Sequence, residues 1–250
     1  AAALIAALLC NIFITGYNQL VDIELDRVNK PDLPLPSGKM TVKTANILVW
    51  GSLILTLAIS AIASLYLLAL IGVIALLGFI YSWKNIYLKR YHQTAALAII
   101  LVRGILVNLG FYALFANTLT FPPEIWVLSS FVVLFSAGIA WFKDIPDVEG
   151  DAEVKIGSLA IVKGARRAFS AGVWLVGSAY TLAAFSPFFL SMSAGATITF
   201  GHAILGLIFL SLASRTDPLE KKSMKRFYLS FWVLFFLEYV LWVGAVLDPI

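Results

Sequence analysis

Tyr66-Leu-Leu-Ala-Leu-Ile-Gly-Val-Ile-Ala-Leu-Leu-Gly-Phe-Ile-Tyr-Ser-Trp83 runs without a single Asp, Glu, Lys or Arg. A helix needs roughly 20 mainly apolar residues, within about 17–25, to cross the hydrocarbon core of a bilayer. Inside that core every backbone N–H and C=O must be bonded within its own segment, so an apolar run of this length is a helix. Seven further runs lie at 1–17, 45–63, 94–116, 124–142, 167–187, 196–213 and 226–247. The whole chain is 61% hydrophobic and 13% charged, with a mean hydropathy of +0.93. A soluble domain carries about a quarter charged residues. The expected fold is therefore all-α: a polytopic transmembrane helical bundle, one integral-membrane domain over 1–250, with the lipid bilayer as its main solvent. The single cysteine, Cys10, excludes an intramolecular disulfide framework.

The loops assign the two sides. With eight spans, loops 18–44, 84–93, 143–166 and 214–225 share one face, and with the adjoining helix ends they hold 17 of the 18 Lys and Arg residues. By the positive-inside rule this face is cytoplasmic or its organellar equivalent. Orientation accounts for the basic surplus, so the net charge of +4 implies no nucleic-acid partner. The chain opens on an apolar run with neither Met nor a basic lead-in, which reads as a membrane helix that has lost an upstream segment.

Nine of the 14 acidic residues fall in two of these loops. The first cluster is Asn18-Gln-Leu-Val-Asp22-Ile-Glu-Leu-Asp26-Arg27-Val-Asn-Lys30, in which Asn18, Asp22 and Asp26 stand four apart and share one helical face. The second is Lys143-Asp144-Ile-Pro-Asp147-Val-Glu-Gly-Asp151, with Asp147 and Asp151 again four apart. Like charges at this spacing repel by a few tenths of a kcal/mol per pair, so a cation is expected to offset them. Hard oxygen donors suit Mg²⁺, which binds through one or two carboxylates plus substrate phosphates. Asn18, Asp22, Asp26, Asp144, Asp147 and Asp151 are the candidate metal ligands, held around one diphosphate. Arg27, Lys30, Lys84, Lys89, Arg90, Lys143 and Lys155 are placed to contact its oxygens. A plain alternative is that loops between membrane helices are simply polar. Two clusters with one spacing, on one side, each at a helix exit, weigh against it.

These segments resemble the UbiA-type intramembrane aromatic prenyltransferases, and within them the homogentisate prenyltransferase branch. The resemblance rests on 18–38, which continues as Pro-Asp-Leu-Pro-Leu-Pro-Ser-Gly38, on Phe142–Asp151, and on Val102-Arg103-Gly-Ile-Leu-Val-Asn108-Leu-Gly110. It implies Mg²⁺, a prenyl diphosphate donor, an aromatic small-molecule acceptor and prenylquinone chemistry of the tocopherol and plastoquinone type. It implies a bacterial, thylakoid or plastid membrane. It also implies nine helices, the motifs following the second and sixth, so eight visible spans leave one N-terminal helix missing. Tyr81, Lys89 and Arg90 match the family's loop after the third visible span, although that loop lacks the family's prolines. Ala152 stands where many relatives place an Arg. Asp22, Asp26, Asp147, Asp151 and Arg103 are then the candidate catalytic residues, and Tyr81 and Asn108 join the substrate-binding set. A transporter or binding protein for a diphosphate is the rival class. Transporters break helices near the midplane, whereas here the acids sit at helix exits.

Arg103 is the one basic residue within a span, roughly 13 Å from the inner end of its helix, and Glu238 lies roughly 18 Å deep in its own. Buried charges in lipid are paired or functional, and the two are expected to meet. Asn108 either bonds an acceptor or joins two helices. The run Phe227, Tyr228, Phe231, Trp232, Phe235, Phe236, Tyr239 and Trp242 lines a prenyl tunnel or forms core. His202 reads as a core residue.

Overall fold

The computed structural model describes residues 1–148, 152, 157–192 and 194–247. The described elements are helical apart from one isolated β-bridge. In chain order the helices are α1 (Ala2–Val21), α2 (Ile23–Asn29), α3 (Val42–Ala63), α4 (Leu65–Ser82), α5 (His92–Ile100), α6 (Asn108–Ala116), α7 (Pro123–Asp144), α8 (Leu159–Lys163), α9 (Ala165–Phe185), α10 (Gly195–Ser214) and α11 (Lys221–Leu247). A π-helical segment, Leu101–Val107, joins α5 to α6, and the three form one span. Eight helices are long and apolar enough to cross a membrane. Each expected span is present, several extending by two to five residues at one end. The extension matters at α7, which carries Lys143 and Asp144 in its last turn, so both lie on the helix rather than in the loop beyond it. Ile62, Trp174 and Phe189 are 88%, 79% and 84% exposed. Such surfaces suit lipid, not water.

The chain forms two compact units, one of Ala1–Ala98 joined by Gly157, the other of Ile99–Val148 with the described residues from Ser158 onward. The first is built on α1, α3 and α4. A Cβ added to Gly16 on α1 would stand 2.5 Å from the Val49 side chain on α3, so a residue without one lets the two backbones approach. Across the same crossing the Thr56 hydroxyl donates to the Ala6 carbonyl at 2.5 Å. Phe13, Val49, Leu67 and Ile71 fill the interior.

The second unit packs α7, α9, α10 and α11 around Phe131, Phe135, Phe142, Phe209, Phe227 and Phe231. The Phe135 and Phe231 rings stack with centroids 4.1 Å apart. Phe227, Phe231, Phe235 and Trp242 are therefore core, and Phe236, 61% exposed, faces outward. Between lipid-soluble helices such close packing, rather than water exclusion, supplies the cohesion.

Candidate active site

α1 ends at Val21 and α2 begins at Ile23, with Asp22 between them at φ −106°, ψ 16°. The i→i+4 bonds continue through the break: Asp22 N to Asn18 O at 3.1 Å, Asp26 N to Asp22 O at 2.8 Å, Lys30 N to Asp26 O at 2.7 Å. The four-residue spacing therefore keeps its common face even though Asp22 interrupts the helix. Asp22 and Asp26 are only 7% and 5% exposed, so these are not solvated loop acids.

Asp22 and Asp26 each have a lysine beside them. The Lys89 ammonium lies directly on the Asp22 carboxylate, and both side chains are buried. Lys89 sits on the short 3₁₀ turn Leu88–Arg90, which follows Tyr87 at a left-handed φ of 51°. That turn also brings the Tyr87 hydroxyl to 3.4 Å from Asp22 Oδ1 and the ring to 5.1 Å from the Lys89 ammonium. Lys30 approaches Asp26 at 3.8 Å, with its side chain half exposed. The Asn18 amide donates to Ser82 Oγ at 2.8 Å, tying α1 to the end of α4. Gly157 is strapped to the turn by Gly157 N–H to Arg90 O at 2.9 Å and His92 N–H to Gly157 O at 3.2 Å.

The other expected cations of this unit are less engaged. Arg27 makes an exposed two-oxygen contact with Glu24 at 2.7 and 2.8 Å. Arg90 is exposed beside the Tyr91 ring, and Lys84 is exposed. Tyr81 is half-buried in the last turn of α4.

In the second unit Asp147 is 8% exposed and its N–H reaches the Asp144 carbonyl at 3.3 Å, within a turn that continues α7. The Lys143 ammonium is 3.1 Å from the Asp144 carboxylate. Asp151 and Lys155 lie outside the described residues. Among the described residues no three His, Cys, Asp or Glu side chains gather as a metal cluster. The donor chemistry nevertheless fits Mg²⁺: buried carboxylate oxygens and an amide oxygen are hard ligands. An apolar cavity of about 230 Å³ lined by Trp126, Phe131, Ala179 and Leu190 contains no acid or base and is no part of this chemistry.

Arg103 lies in the π-helical segment, its guanidinium 4.6 Å from the Trp232 ring centre and 5.9 Å from that of Phe235. A π-helical turn frees carbonyls from their usual partners. Here Asn108 Nδ2 donates to the Arg103 and Gly104 carbonyls at 3.0 Å each, and Ser129 Oγ to the Gly104 carbonyl at 2.5 Å. The Tyr239 hydroxyl donates to Asn108 Oδ1 at 2.9 Å. Asn108 is thus a joint between two spans. The expected Arg103–Glu238 pair is not formed. Glu238 Oε2 faces His202 Nε2 at 3.2 Å, and neither Glu238 oxygen accepts a hydrogen bond. The depths agreed, but α11 turns Glu238 toward α10 and presents Trp232 to Arg103. Tyr87 and Ser82 were not singled out from sequence, because a left-handed tyrosine and a buried serine carry no periodic signal; Trp232 was placed in the aromatic run but not beside Arg103.

Eight helices of membrane-spanning length, with buried carboxylates at the ends of two of them, define an integral-membrane helical protein. Residues 1–237 match the model of the UbiA prenyltransferase family, and the chain belongs to that family. It is 37% identical to a homogentisate phytyltransferase of Synechocystis sp., over 99% of this chain and 82% of that protein. It is 36% identical to the chloroplastic homogentisate phytyltransferase 1 of Arabidopsis thaliana, over 96% of this chain, and spans 63% of that relative's length. The fold is that of a UbiA homolog from Archaeoglobus fulgidus solved with GPP and Mg²⁺, with a TM-score of 0.73 at 18% identity over 99% of this chain and 87% of that one.

Proposed function

We propose that this protein transfers a prenyl group from a prenyl diphosphate to a ring carbon of an aromatic acceptor, with homogentisate as the acceptor. The observation that carries the reading is the Asp22/Asp26 pair, buried at the inner end of α1 and matched by Lys89 and Lys30. The family resemblance and two homogentisate phytyltransferases at 36–37% identity support it. Those relatives also support a cyanobacterial or plastid membrane as its location.

In this reading Asn18, Asp22, Asp26, Asp144, Asp147 and Asp151 would supply the oxygen donors for Mg²⁺. When held by these residues, Mg²⁺ would supply the charge neutralisation that makes the diphosphate a leaving group. The Lys89, Lys30 and Lys143 ammonium groups add fixed positive charge where negative charge develops, joined by Arg27, Arg90 and Lys155 from the same loops. The allylic C–O bond breaks with its electron pair on the diphosphate oxygen, and the ring carbon forms a new C–C bond to the allylic carbon. The attacked ring carbon then gives up its proton; with homogentisate the side-chain carboxylate also leaves as CO₂, and a proton taken up at the side-chain carbon completes a methyl group. Arg103, held 4.6 Å from the Trp232 ring centre, is a fixed cation within the span and serves as a catalytic residue. The apolar, aromatic interior keeps water from the allylic cation.

The test is product formation in membranes containing the protein, with homogentisate, a set of prenyl diphosphates and Mg²⁺, against an EDTA control. A prenylated, decarboxylated quinol that requires Mg²⁺ supports the reading. A dimethylallyltransferase acting on naringenin, from Sophora flavescens, is 33% identical over 95% of this chain. Product with a flavonoid and none with homogentisate therefore keeps the chemistry and moves the acceptor. Diphosphate binding without turnover on any acceptor overturns the enzyme reading.

A further inference from the structure

A second polar group lies within the second unit, away from the charged loops. His202 and Glu238 are both fully buried, and Tyr180 and Trp242 beside them are 3% and 5% exposed. His202 is seven residues from the outer end of α10, about 10 Å along the axis at 1.5 Å per residue. Asp144 and Lys143 stand at the inner end of α7. In hydrocarbon, ionisable side chains are costly and do not persist without a role.

The geometry fixes where protons must be. His202 Nδ1 is 2.7 Å from the Ile198 carbonyl. A carbonyl only accepts, so Nδ1 carries a hydrogen. Nε2 then faces Glu238 Oε2 at 3.2 Å. With no proton between them, a bare nitrogen lone pair would oppose an ionised carboxylate, leaving a net negative charge inside the bilayer. With two protons the pair would be an imidazolium beside a neutral acid, a net positive charge. One proton makes the pair neutral, whether it rests on nitrogen or oxygen. An isolated ion in so apolar a site carries a penalty far above the cost of keeping that proton.

The surroundings strengthen the demand. His202 Nε2, both Glu238 oxygens, the Tyr180 hydroxyl and the Trp242 indole N–H all lack a partner in hydrogen-bond geometry among the described residues, so the 3.2 Å approach of Nε2 to Oε2 is a close contact and not an aligned bond. Phe131 from α7 meets the His202 ring edge-on at 5.4 Å, and Trp242 from α11 does so at 5.6 Å. Of the groups packed around the pair, α7 presents Phe131, α9 presents Tyr180 and α11 presents Trp242, and among these only Tyr180 titrates. It interacts electrostatically with the same carboxylate. No lysine or arginine among these neighbours supplies a compensating charge.

We propose that His202 and Glu238 form an intramembrane proton-binding site, holding one proton on one or other side chain and joining α10 to α11 as a net-neutral pair. The site is separate from the carboxylate clusters and does not depend on the acceptor or donor of the transfer reaction.

His92 and His202 are the chain's two histidines, so His92→Gln leaves one. The experiment takes this variant, labelled with ¹⁵N-histidine and embedded in lipid nanodiscs, and follows both ring nitrogens across about pH 5 to 8. Infrared spectra of the wild type and Glu238→Gln are recorded alongside. Expected are unchanging ring signals together with one of two signatures. One is a protonated Nε2; the other is a protonated-carboxyl stretch that disappears in Glu238→Gln. Ring signals that titrate within the window overturn the proposal. So does a bare Nε2 with no protonated-carboxyl stretch. His202→Gln/Glu238→Gln, two neutral amides able to bond each other, should fold in a yield within about twofold of wild type. His202→Ala alone should lose several-fold, and equal yields for the two would overturn the joining role.

Discussion

Lys89→Met isolates the ion pair on which the inner-face site is built. The substitution keeps an unbranched chain of similar length and removes the ammonium that lies on Asp22, in a position where the two side chains are 8% and 7% exposed. Breaking a buried pair from one side costs about 3–5 kcal/mol, because the remaining charge is left desolvated. The Tyr87 hydroxyl, 3.4 Å from Asp22 Oδ1, still offers a long hydrogen bond, and the pair lies where α1 leaves the membrane, so the lower end applies. About 3 kcal/mol corresponds to roughly a hundredfold change in the unfolding equilibrium. Asp22→Asn/Lys89→Met removes both charges and should recover to within about 1 kcal/mol of wild type, since a neutral replacement leaves nothing stranded. Reversible denaturant unfolding in mixed micelles, read on all four members of the double-mutant cycle, measures the coupling. A coupling below about 0.5 kcal/mol would refute the desolvated pair and return Lys89 to the status of an orienting surface charge. Prenyl transfer should be lost in both variants regardless of stability, because both remove groups assigned to the diphosphate site.

Asp22→Ala and Asp147→Ala should each lower turnover by at least about a hundredfold, since metal neutralisation of a leaving group is worth several kcal/mol. Membrane insertion, checked by fractionation, should be unchanged. Near-normal activity in both would remove the diphosphate-site assignment. Gly104→Val should destabilise by about 1–3 kcal/mol, because a Cβ there would stand 2.9 Å from the Val133 backbone Cα on α7; a thermal melt within a degree of wild type would contradict that crossing. Asn108→Ala should cost about 1–3 kcal/mol by stranding the Arg103 carbonyl and the Tyr239 hydroxyl. A raised acceptor KM with unchanged stability would instead restore a direct substrate contact.

What could be read in the chain follows the reach of each signal. Hydropathy and length are local properties, so all eight spans were legible, and the alternation of charge between loops gave their common face. The acid clusters were legible because α-helical spacing is also local: Asn18, Asp22 and Asp26 keep their i→i+4 bonds even where Asp22 breaks α1 from α2. The amide of Asn108 was recognised as joining two helices or meeting an acceptor, but only the packed structure chose between them. The choice depended on a π-helical segment that leaves two carbonyls for it.

The amino-acid sequence by itself determined the solvent, the spans, their orientation and the placement of carboxylates at helix exits. Tertiary structure decided the partners: Lys89 for Asp22 across 67 positions, Trp232 for Arg103, His202 for Glu238. Counting residues along an α-helix gives depth at 1.5 Å per step, which is why Arg103 and Glu238 were matched by level. Which way a side chain points around the axis, and which helix stands there to receive it, is set by the packing of the spans against one another.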